Sequence, residues 1–254
     1  MKERRFFERL YERQPEGWGV SWRRSQLHKY DIYLEMISRI SPAPEIILDI
    51  GCGEGFFTAQ LSRRVTPNVI GMDLSSVAVE RARVKYPDLQ FHQCSVTDLT
   101  WNLIPQDKGL DLIVMGAVLA YLSPAERQQC IFDIWSHMKE GAHLLVSDNI
   151  DPEPYFPSRR ALLGYFEGFE PVEESGLCIR SYYRYIESPL WGLHTRVMRW
   201  PLVDNLVVGC LKYMPIRAIE SLSRRVSESE ELVHIVLFRK KSRPGSQEQA
   251  ERVQ

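Results

Sequence analysis

Short apolar runs alternate with helical patterns through the middle of the chain, and this alternation limits the possible fold more than any other feature. Each run has the length and apolar content of a strand that is buried on both faces. The runs lie at 46–50, 68–73, 89–94, 110–116 and 142–147. Because segments with helical periodicity separate them, we expect a doubly wound α/β fold with a mostly parallel sheet.

The last helix in this series has the clearest predicted start. Ser123-Pro124-Ala125-Glu126 places a serine at the N-cap, a proline at the first helical position and a glutamate at the third. This order is typical of a capping box, in which the serine and glutamate satisfy free N–H groups of the first turn. Gly141 is expected to end the same helix.

The flanking segments extend the fold on both sides. Strands predicted at 177–187 and 232–238 bring the Rossmann-like sheet to seven strands, and the proline-interrupted segment 188–230 between them is predicted to be a helical insert. The domain plan has four parts: a helical cap over 1–41, the core over 42–150, the C-terminal part of the sheet over 151–240, and a disordered tail over 241–254.

Composition removes several classes of function. The chain has 32 Lys and Arg against 33 Asp and Glu, so it lacks the basic excess typical of a nucleic-acid partner. The five cysteines are dispersed and the histidines form no cluster, which indicates reduced thiols and no metal site. The uncharged stretch 112–125 is shorter than the roughly 20 residues that span a bilayer, and no apolar leader follows Met1. We therefore expect a cytoplasmic protein without a transmembrane segment.

A glycine-rich turn follows the first predicted strand, in the segment Leu48-Asp49-Ile50-Gly51-Cys52-Gly53-Glu54-Gly55. Glycine lets the backbone turn tightly and approach a ligand closely. A dinucleotide fingerprint would need a glycine where Phe56 stands. Asp49 would repel a pyrophosphate but could attract a cationic amino-acid group, so a ligand without phosphate fits better.

Asp73 stands at the end of the second predicted strand, twenty residues after Gly53. A carboxylate at this point can accept hydrogen bonds from both hydroxyls of a ribose that carries no 2′-phosphate. The glycine turn, Asp49 and Asp73 occur in order within the first two strand–helix units. Together they indicate a nucleoside-containing cofactor.

This set resembles the class I S-adenosylmethionine (SAM)-dependent methyltransferases over about residues 44–150. Four stretches resemble the NodS-like subgroup, which acts on sugar amines and related small acceptors: Trp22-Arg23-Arg24-Ser25 with Lys29-Tyr30; 48–52; Asp73-Leu74-Ser75 with Ala82-Arg83; and 110–122. The resemblance implies SAM as cofactor and a small molecule as methyl acceptor.

The resemblance also implies roles for individual residues. It places Asp49, Gly51 and Gly53 at the methionine end of SAM, with Cys52 in the same turn as a small buried filler. It places Asp73 and Leu74 at the ribose and adenine, and Met115 beneath the sulfonium. Adenine recognition is left to Ser95, Val96 or Asp98.

The acceptor side offers three candidates for proton transfer. Tyr121 follows the fourth strand, Asp148 follows the fifth, and His28 lies on the N-terminal helix that is expected to close over the cofactor. Ligands of open α/β sheets bind at the carboxyl ends of strands. The insert, with Trp191 and Trp200, is expected to form a lid over the acceptor pocket or a plain helical core.

Two other functions stay open at this stage. One is methylation of RNA or protein, although an N-P-P-Y signature is missing after the fourth strand. The other is SAM binding without transfer, suggested by Gly116-Ala117 where the family often has Ser-Glu. The oligomeric state also stays open, with a homodimer as one option.

Overall fold

A computed structural model describes residues 4–14, 16, 18–99, 101, 109–150, 158–198, 200–226 and 231–241. Within these residues the strands form one sheet in the order β3-β2-β1-β4-β5-β7-β6. The strands are β1 (Ile47–Ile50), β2 (Val69–Asp73), β3 (Gln90–Gln93), β4 (Leu110–Gly116), β5 (Met138–Asn149), β6 (Phe169–Cys178) and β7 (Glu231–Lys240). The predicted seven-stranded, Rossmann-like sheet is confirmed.

The sheet is mixed, because one strand runs against the others. Strands β1 to β5 pair in parallel, while β7 is antiparallel to both of its neighbours, β5 and β6. The carboxyl ends of β1 to β6 and the amino end of β7 therefore meet at one edge. That edge is where open α/β sheets bind ligands.

Helices cover both faces of the sheet and surround that edge. They are α1 (Arg4–Arg13), α2 (Arg24–Ser38), α3 (Phe56–Arg64), α4 (Ser76–Lys85), α5 (Pro124–His137), α6 (Arg159–Gly164), α7 (Arg180–Tyr182), α8 (Ser188–Val197), α9 (Pro201–Lys212) and α10 (Ile216–Val226). A 3₁₀ turn occupies Leu119–Tyr121, and a π-helical segment, Tyr183–Glu187, joins α7 to α8.

Strand alternation divides the core into two layers. Leu48 and Ile50 of β1 point into the layer that contains Ile131 and Ile134 of α5. Ile47 points to the opposite face, into the layer that contains Tyr33 of α2. Strand β1 is thus buried on both faces, which explains its continuous apolar run in the sequence.

The predicted capping box is confirmed, but the end of its helix is not at Gly141. The Ser123 hydroxyl accepts a hydrogen bond from the N–H of Glu126, and the Glu126 carboxylate accepts one from the N–H of Ser123. Helix α5 ends at His137, and Gly141 lies inside β5 with a φ of +73°. The expectation from the glycine was wrong because β5 begins at Met138, where it already pairs with Leu110.

The predicted strand over 177–187 was also wrong. Strand β6 ends at Cys178, and helical structure begins at Arg180, eight residues before the predicted insert. Aromatic and branched residues in 177–187 favour a strand locally, but Tyr182 and Ile179 pack into the α2 layer of the core from helical or turn positions. Prolines 189, 201 and 215 each stand at or just before the start of a helix, where proline is tolerated.

The four-part domain plan stays a prediction. Segment 151–157 and residues 242–254 of the predicted tail lie outside the described residues. Among those that are described, none of the helices combines the length and apolar character needed to cross a bilayer, and no group of three or more His, Cys, Asp or Glu side chains is placed to hold a metal ion.

Candidate active site

One cavity of about 430 Å³ lies along the carboxyl edge of the sheet. Its wall includes Cys94 after β3 at one end and Leu177 of β6 at the other, so it extends across the whole sheet. Pockets of about 300–1,000 Å³ accommodate small ligands. The cavity therefore has room for a ligand over β1 to β3 and a second region over β4 to β7.

The glycine turn and the end of β2 form the floor of the first region. Gly51 and Gly53 have φ values of +76° and +55°, and both line the cavity. A side chain at Gly53 would lie 2.8 Å from the Tyr11 hydroxyl. Asp73 accepts hydrogen bonds from the N–H groups of Gly53 at 2.8 Å and Ser75 at 2.9 Å. The turn is thus fixed to β2 by the same carboxylate that faces the cavity.

Burial and these hydrogen bonds have opposite effects on the pKa of Asp73. Desolvation raises the pKa of its carboxyl above the usual value, although the bonds from Ser75 and Gly53 oppose the change. A ligand that donates further hydrogen bonds would stabilise the ionised form. The site therefore suits a pair of ribose hydroxyls.

The segment after β3 closes the outer end of the first region. Leu74, Ser95 and Val96 line the cavity. Asp98 is exposed and does not line it; its N–H bonds the Ser95 carbonyl at 3.0 Å within a turn. Thr97 also lines the cavity. A largely apolar wall with two hydroxyls is suited to a flat heteroaromatic ring.

Helix α1 supplies the opposite wall of this region. Phe7 and Tyr11 line the cavity, and Phe7 packs edge-on against Tyr121 with ring centroids 5.1 Å apart. Glu8 holds the helix in place by accepting hydrogen bonds from the first N–H groups of α4, those of Ser76 and Val77. Burial raises the pKa of Glu8, but these bonds and those from the Ser75 and Ser76 hydroxyls outweigh it and lower the pKa to about 2.

Asp49 faces a small side cavity next to the glycine turn rather than the main cavity. This side cavity is also lined by Lys29, Gly51 and Gly116. The Asp49 carboxylate accepts a hydrogen bond of 2.6 Å from the Thr58 hydroxyl. Burial raises the pKa of Asp49 to about 7, with a further contribution from the negative charge of Asp73. A cationic group placed here would reverse that shift.

Lys29 is the one basic side chain of α2 that combines near-complete burial with a place on both cavities. It is 8% exposed and lines both cavities. Its ammonium lies over the Tyr30 ring, 5.1 Å from the centroid, and makes no hydrogen bond or ion pair with any described residue. Burial, helped by the positive charge of Arg23, lowers the pKa of Lys29 to about 8, while Asp148 acts in the opposite direction. An amine with such a pKa can take up or release a proton near neutral pH.

The second region has mainly apolar walls. Leu177, Ile179, Leu232 and Val233 line it from β6, β7 and the turn after β6. Arg23 and Glu187 also reach it, but they form a buried ion pair with each other, and the Ser25 hydroxyl donates a further hydrogen bond of 2.7 Å to Glu187. Their charges are matched, so Lys29 is the main unpaired charge among the described residues of this wall.

Comparison with known families identifies the middle of the chain. A family model described as a methyltransferase domain matches residues 47–141, from β1 into β5. We call residues 47–141 the methyltransferase domain, after the family that they match. S-adenosylmethionine is its cofactor, as predicted.

Curated relatives match the methyltransferase domain over part of their length. The carboxy-S-adenosyl-L-methionine synthase of Dichelobacter nodosus (strain VCS1703A) is 31% identical over 109 residues, 42% of this chain and 46% of that protein. The O-methyltransferase cnsE of Penicillium expansum is 30% identical over 140 residues, 52% of this chain and 48% of that protein. The chain thus spans about half the length of these relatives.

A solved structure resembles almost the whole fold around the methyltransferase domain. This is the N-methyltransferase NodS of Bradyrhizobium japonicum WM9 in complex with S-adenosyl-L-homocysteine. The superposition covers 94% of this chain and 98% of the NodS chain. The TM-score is 0.63 and the sequence identity 16%. At this identity the likeness concerns the fold.

The methyltransferase domain brings most of the predicted cofactor residues together. Those on the main cavity are Gly51, Cys52, Gly53, Asp73, Leu74, Ser95 and Val96. Asp49 is beside it, and Asp98 is not on it. Met115 is wholly buried in the core layer next to α5 and is absent from the cavity wall. Strand alternation explains this outcome, since Gly116, its neighbour in β4, faces the cavity instead.

The three predicted proton-transfer residues fall in different places. Tyr121 lines the cavity, and burial raises its pKa to about 12. Asp148 is buried and points away from the cavity, where it accepts hydrogen bonds from the N–H groups of Ala120 and Asn149. Burial raises the pKa of Asp148 to about 6. Its neighbours Ser147 and Asn149, on the other face of β5, line the cavity.

His28 lies outside the described cavity wall. Its Nε2 is 2.5 Å from the Glu220 carboxylate of α10, so it joins α2 to the insert. Helix spacing explains the difference: His28 and Lys29 are adjacent and therefore point about 100° apart. Lys29 occupies the position that the sequence analysis gave to His28.

The insert contributes less to the cavity than the sequence analysis predicted. Tyr183 and Glu187, which precede 188–230, line the wall. Trp191 packs against Trp22 and lies under the Arg23 guanidinium, and Trp200 is exposed. The sequence analysis assigned no role to Lys29, Arg23 or Glu187. Arg23 and Glu187 are 164 residues apart, so no local pattern indicates that they form a pair. The resemblance had included Trp22-Arg23-Arg24-Ser25 and Lys29-Tyr30, but no pattern assigned them roles.

Proposed function

We propose that this chain transfers the methyl group of SAM to a nitrogen or oxygen atom of a small molecule with an apolar body. The observation that carries the proposal is the continuity of one cavity from the glycine turn of the methyltransferase domain to the apolar walls of β6 and β7. Both partners of a transfer reaction fit into one enclosure. Proximity and orientation supply roughly 7–11 kcal/mol of barrier reduction in such reactions.

The residues of the first region fit the parts of the cofactor. Asp73 would hold the ribose hydroxyls, Leu74, Ser95 and Val96 the adenine, and the glycine turn the methionine end. Asp49 would pair with the methionine ammonium, which explains a buried carboxylate with a raised pKa beside the turn. When bound, SAM supplies a methyl group on a positively charged sulfur, which needs no further activation.

The second region defines the class of acceptor. Its apolar lining favours an aliphatic or aromatic body, because each buried apolar group gains roughly 25 cal/mol per Å² removed from water. The Arg23–Glu187 ion pair adds no net charge to this wall. A multiply charged acceptor would lose hydration without matching partners.

Lys29 is the proposed general base for the acceptor. A protonated amine or a hydroxyl must lose a proton during transfer, and a base in reach typically contributes 10²–10⁴-fold. Lys29 lines the wall and has a pKa of about 8, so its neutral amine is populated near neutral pH. Asp148, buried behind it, would act by keeping the lysine pKa from falling further.

The NodS-like subgroup and a cytoplasmic location are part of this proposal. The stretches Trp22-Arg23-Arg24-Ser25 and Lys29-Tyr30 support the subgroup, together with the matching extent of the NodS fold. The cysteines support the location, since none of the five, all of them in the described part of the chain, takes part in a disulfide.

The proposal is tested with acceptors that share one aromatic body and differ only in the reacting group. Phenethylamine, phenethyl alcohol and phenylacetate are each incubated with SAM, and S-adenosylhomocysteine is measured against a reaction without acceptor. We expect acceptor-dependent product with the amine or the alcohol. A charged sugar amine and a short RNA serve as comparison acceptors.

Two results would contradict this function. Turnover with the RNA alone would make the chain a nucleic-acid methyltransferase. Tight S-adenosylhomocysteine binding with no turnover over the whole series and a wider panel of amines and phenols would favour a SAM-binding protein without transferase activity.

A further inference from the structure

Helices α8 and α9 form a hairpin with two different surfaces. On the inner side, Val207 and Leu211 are buried against Trp22, Leu190 and Trp191. A hydrogen bond of 2.6 Å between His194 Nδ1 and the Asp204 carboxylate joins the two helices. The hairpin is therefore anchored to the wall that contains Arg23.

The outer surface of the hairpin is apolar and exposed. Leu202, Leu206 and Tyr213 are 83%, 73% and 77% exposed and follow one another at helical spacing along one side of α9. Leu193 of α8 and Trp200 between the helices are also exposed. We call these five residues the outer insert face. A helix that is apolar on two sides is normally covered on both.

The exposed, unpaired charges of the described residues in 180–226 are of one sign. Arg184, Arg196 and Lys212 are exposed and form no ion pair with any described residue. The acidic residues of 180–226 all have partners of their own. Glu187 and Glu220 are buried in ion pairs, and Asp204 is hydrogen-bonded to His194. The described surface of the insert therefore combines exposed apolar side chains with unpaired positive charge.

We propose that the outer insert face docks on a bilayer surface that contains anionic lipid. Leucine, tryptophan and tyrosine side chains with flanking arginine and lysine are typical of helices that lie in the membrane interface. Pairing with a second copy of the chain is disfavoured by the charges, because two copies of a positively charged surface repel each other. Lipid phosphates supply the complementary charge.

Docking in this way would connect the membrane to the cavity. Tyr183 and Glu187, which line the second region, immediately precede α8. The apolar acceptor region would then lie beside the bilayer, where acceptors that partition into lipid are concentrated. This last step rests on the proposed function, whereas the docking itself does not.

The test is cosedimentation of the full chain with vesicles of phosphatidylcholine, with and without phosphatidylglycerol. We expect binding to the anionic vesicles, weakened by salt. L202E and L206E should each reduce the partition coefficient at least tenfold. V84E is the matched control, since Val84 on α4 is exposed to the same 83% as Leu202 but lies far along the chain in another helix. R196Q/K212Q should reduce both binding and its salt dependence.

Three results would overturn the docking proposal. They are equal binding to both kinds of vesicle, an equal loss in V84E, and an L206E-sensitive dimer in gel filtration without lipid affinity. Calorimetric titration with S-adenosylhomocysteine, and turnover of a water-dispersed acceptor without vesicles, should be unchanged in L206E. If the wild-type protein neither binds S-adenosylhomocysteine nor turns over the water-dispersed acceptor, the result counts against the methyltransferase proposal and not against docking.

Discussion

Asp73 accepts a hydrogen bond from the N–H of Gly53, and this contact joins the end of β2 to the turn that follows β1. The carboxylate therefore shapes the turn as well as facing the cavity. The Tyr11 hydroxyl of α1 approaches the same glycine from the other side. Turn, strand end and N-terminal helix form one wall of the cavity, in which each part limits the position of the others.

Replacing Asp73 should weaken cofactor binding. We expect D73A to reduce the affinity for S-adenosylhomocysteine by about 2–3 kcal/mol, since charge-assisted hydrogen bonds are lost. D73N keeps one acceptor oxygen and should lose less. Titration calorimetry measures both variants, and an unchanged affinity in D73A would refute the ribose assignment.

Cofactor binding should depend on pH through Asp49. Its pKa of about 7 means that the ionised form, which can pair with an ammonium group, is populated above pH 7. Affinity for S-adenosylhomocysteine should therefore fall as the pH is lowered below 7, by up to about tenfold per pH unit. In D49N the affinity should be lower and nearly independent of pH, although Asp73 is retained. A flat profile in the wild type would show that Asp49 does not meet the ligand.

The rate of methyl transfer should rise with pH through about 8 if Lys29 is the base. Burial lowers the pKa of the lysine, so the neutral amine accumulates above that value rather than above 10.5. K29R, which stays protonated, should lower kcat by about 10²–10⁴ and remove the rise. K139M, a change at an exposed lysine paired with Asp111, is the control. An unaltered kcat with a raised acceptor KM would instead make Lys29 a binding residue for an anionic acceptor.

Replacing only Arg23 of the Arg23–Glu187 pair should destabilise the fold more than replacing both residues. R23M leaves the Glu187 carboxylate buried without a counter-ion among the described residues, although the Ser25 hydroxyl still donates a hydrogen bond to it. We expect a loss of about 3–5 kcal/mol in the free energy of unfolding. The double variant R23M/E187L should recover most of this loss. Urea denaturation measures it. If the double variant is as unstable as R23M, the pair's charges are not the cause.

Much of this molecule follows from local sequence patterns. The apolar runs, the glycine turn, Asp73 after β2 and the Ser123–Glu126 capping box each depend on residues a few positions apart, and each was predicted. The face of the strand on which Asp148 and Met115 lie was not predicted correctly, because a shift of one residue along a strand moves a side chain to the opposite face. Ser147, Asn149 and Gly116 take those places in the cavity.

The sequence by itself determined the order of strands and helices in the methyltransferase domain and the place of the glycine turn after β1, since short-range sterics and periodicity act before any long-range packing. Only the tertiary structure decided that Lys29 is buried without an ion-pair partner among the described residues, that Arg23 meets Glu187, and that His28 meets Glu220. The two pairs depend on how α2 and the residue before it pack against segment 187–220, more than 150 residues away. Burial and charge pairing are properties of that packing, and no neighbouring residue encodes them.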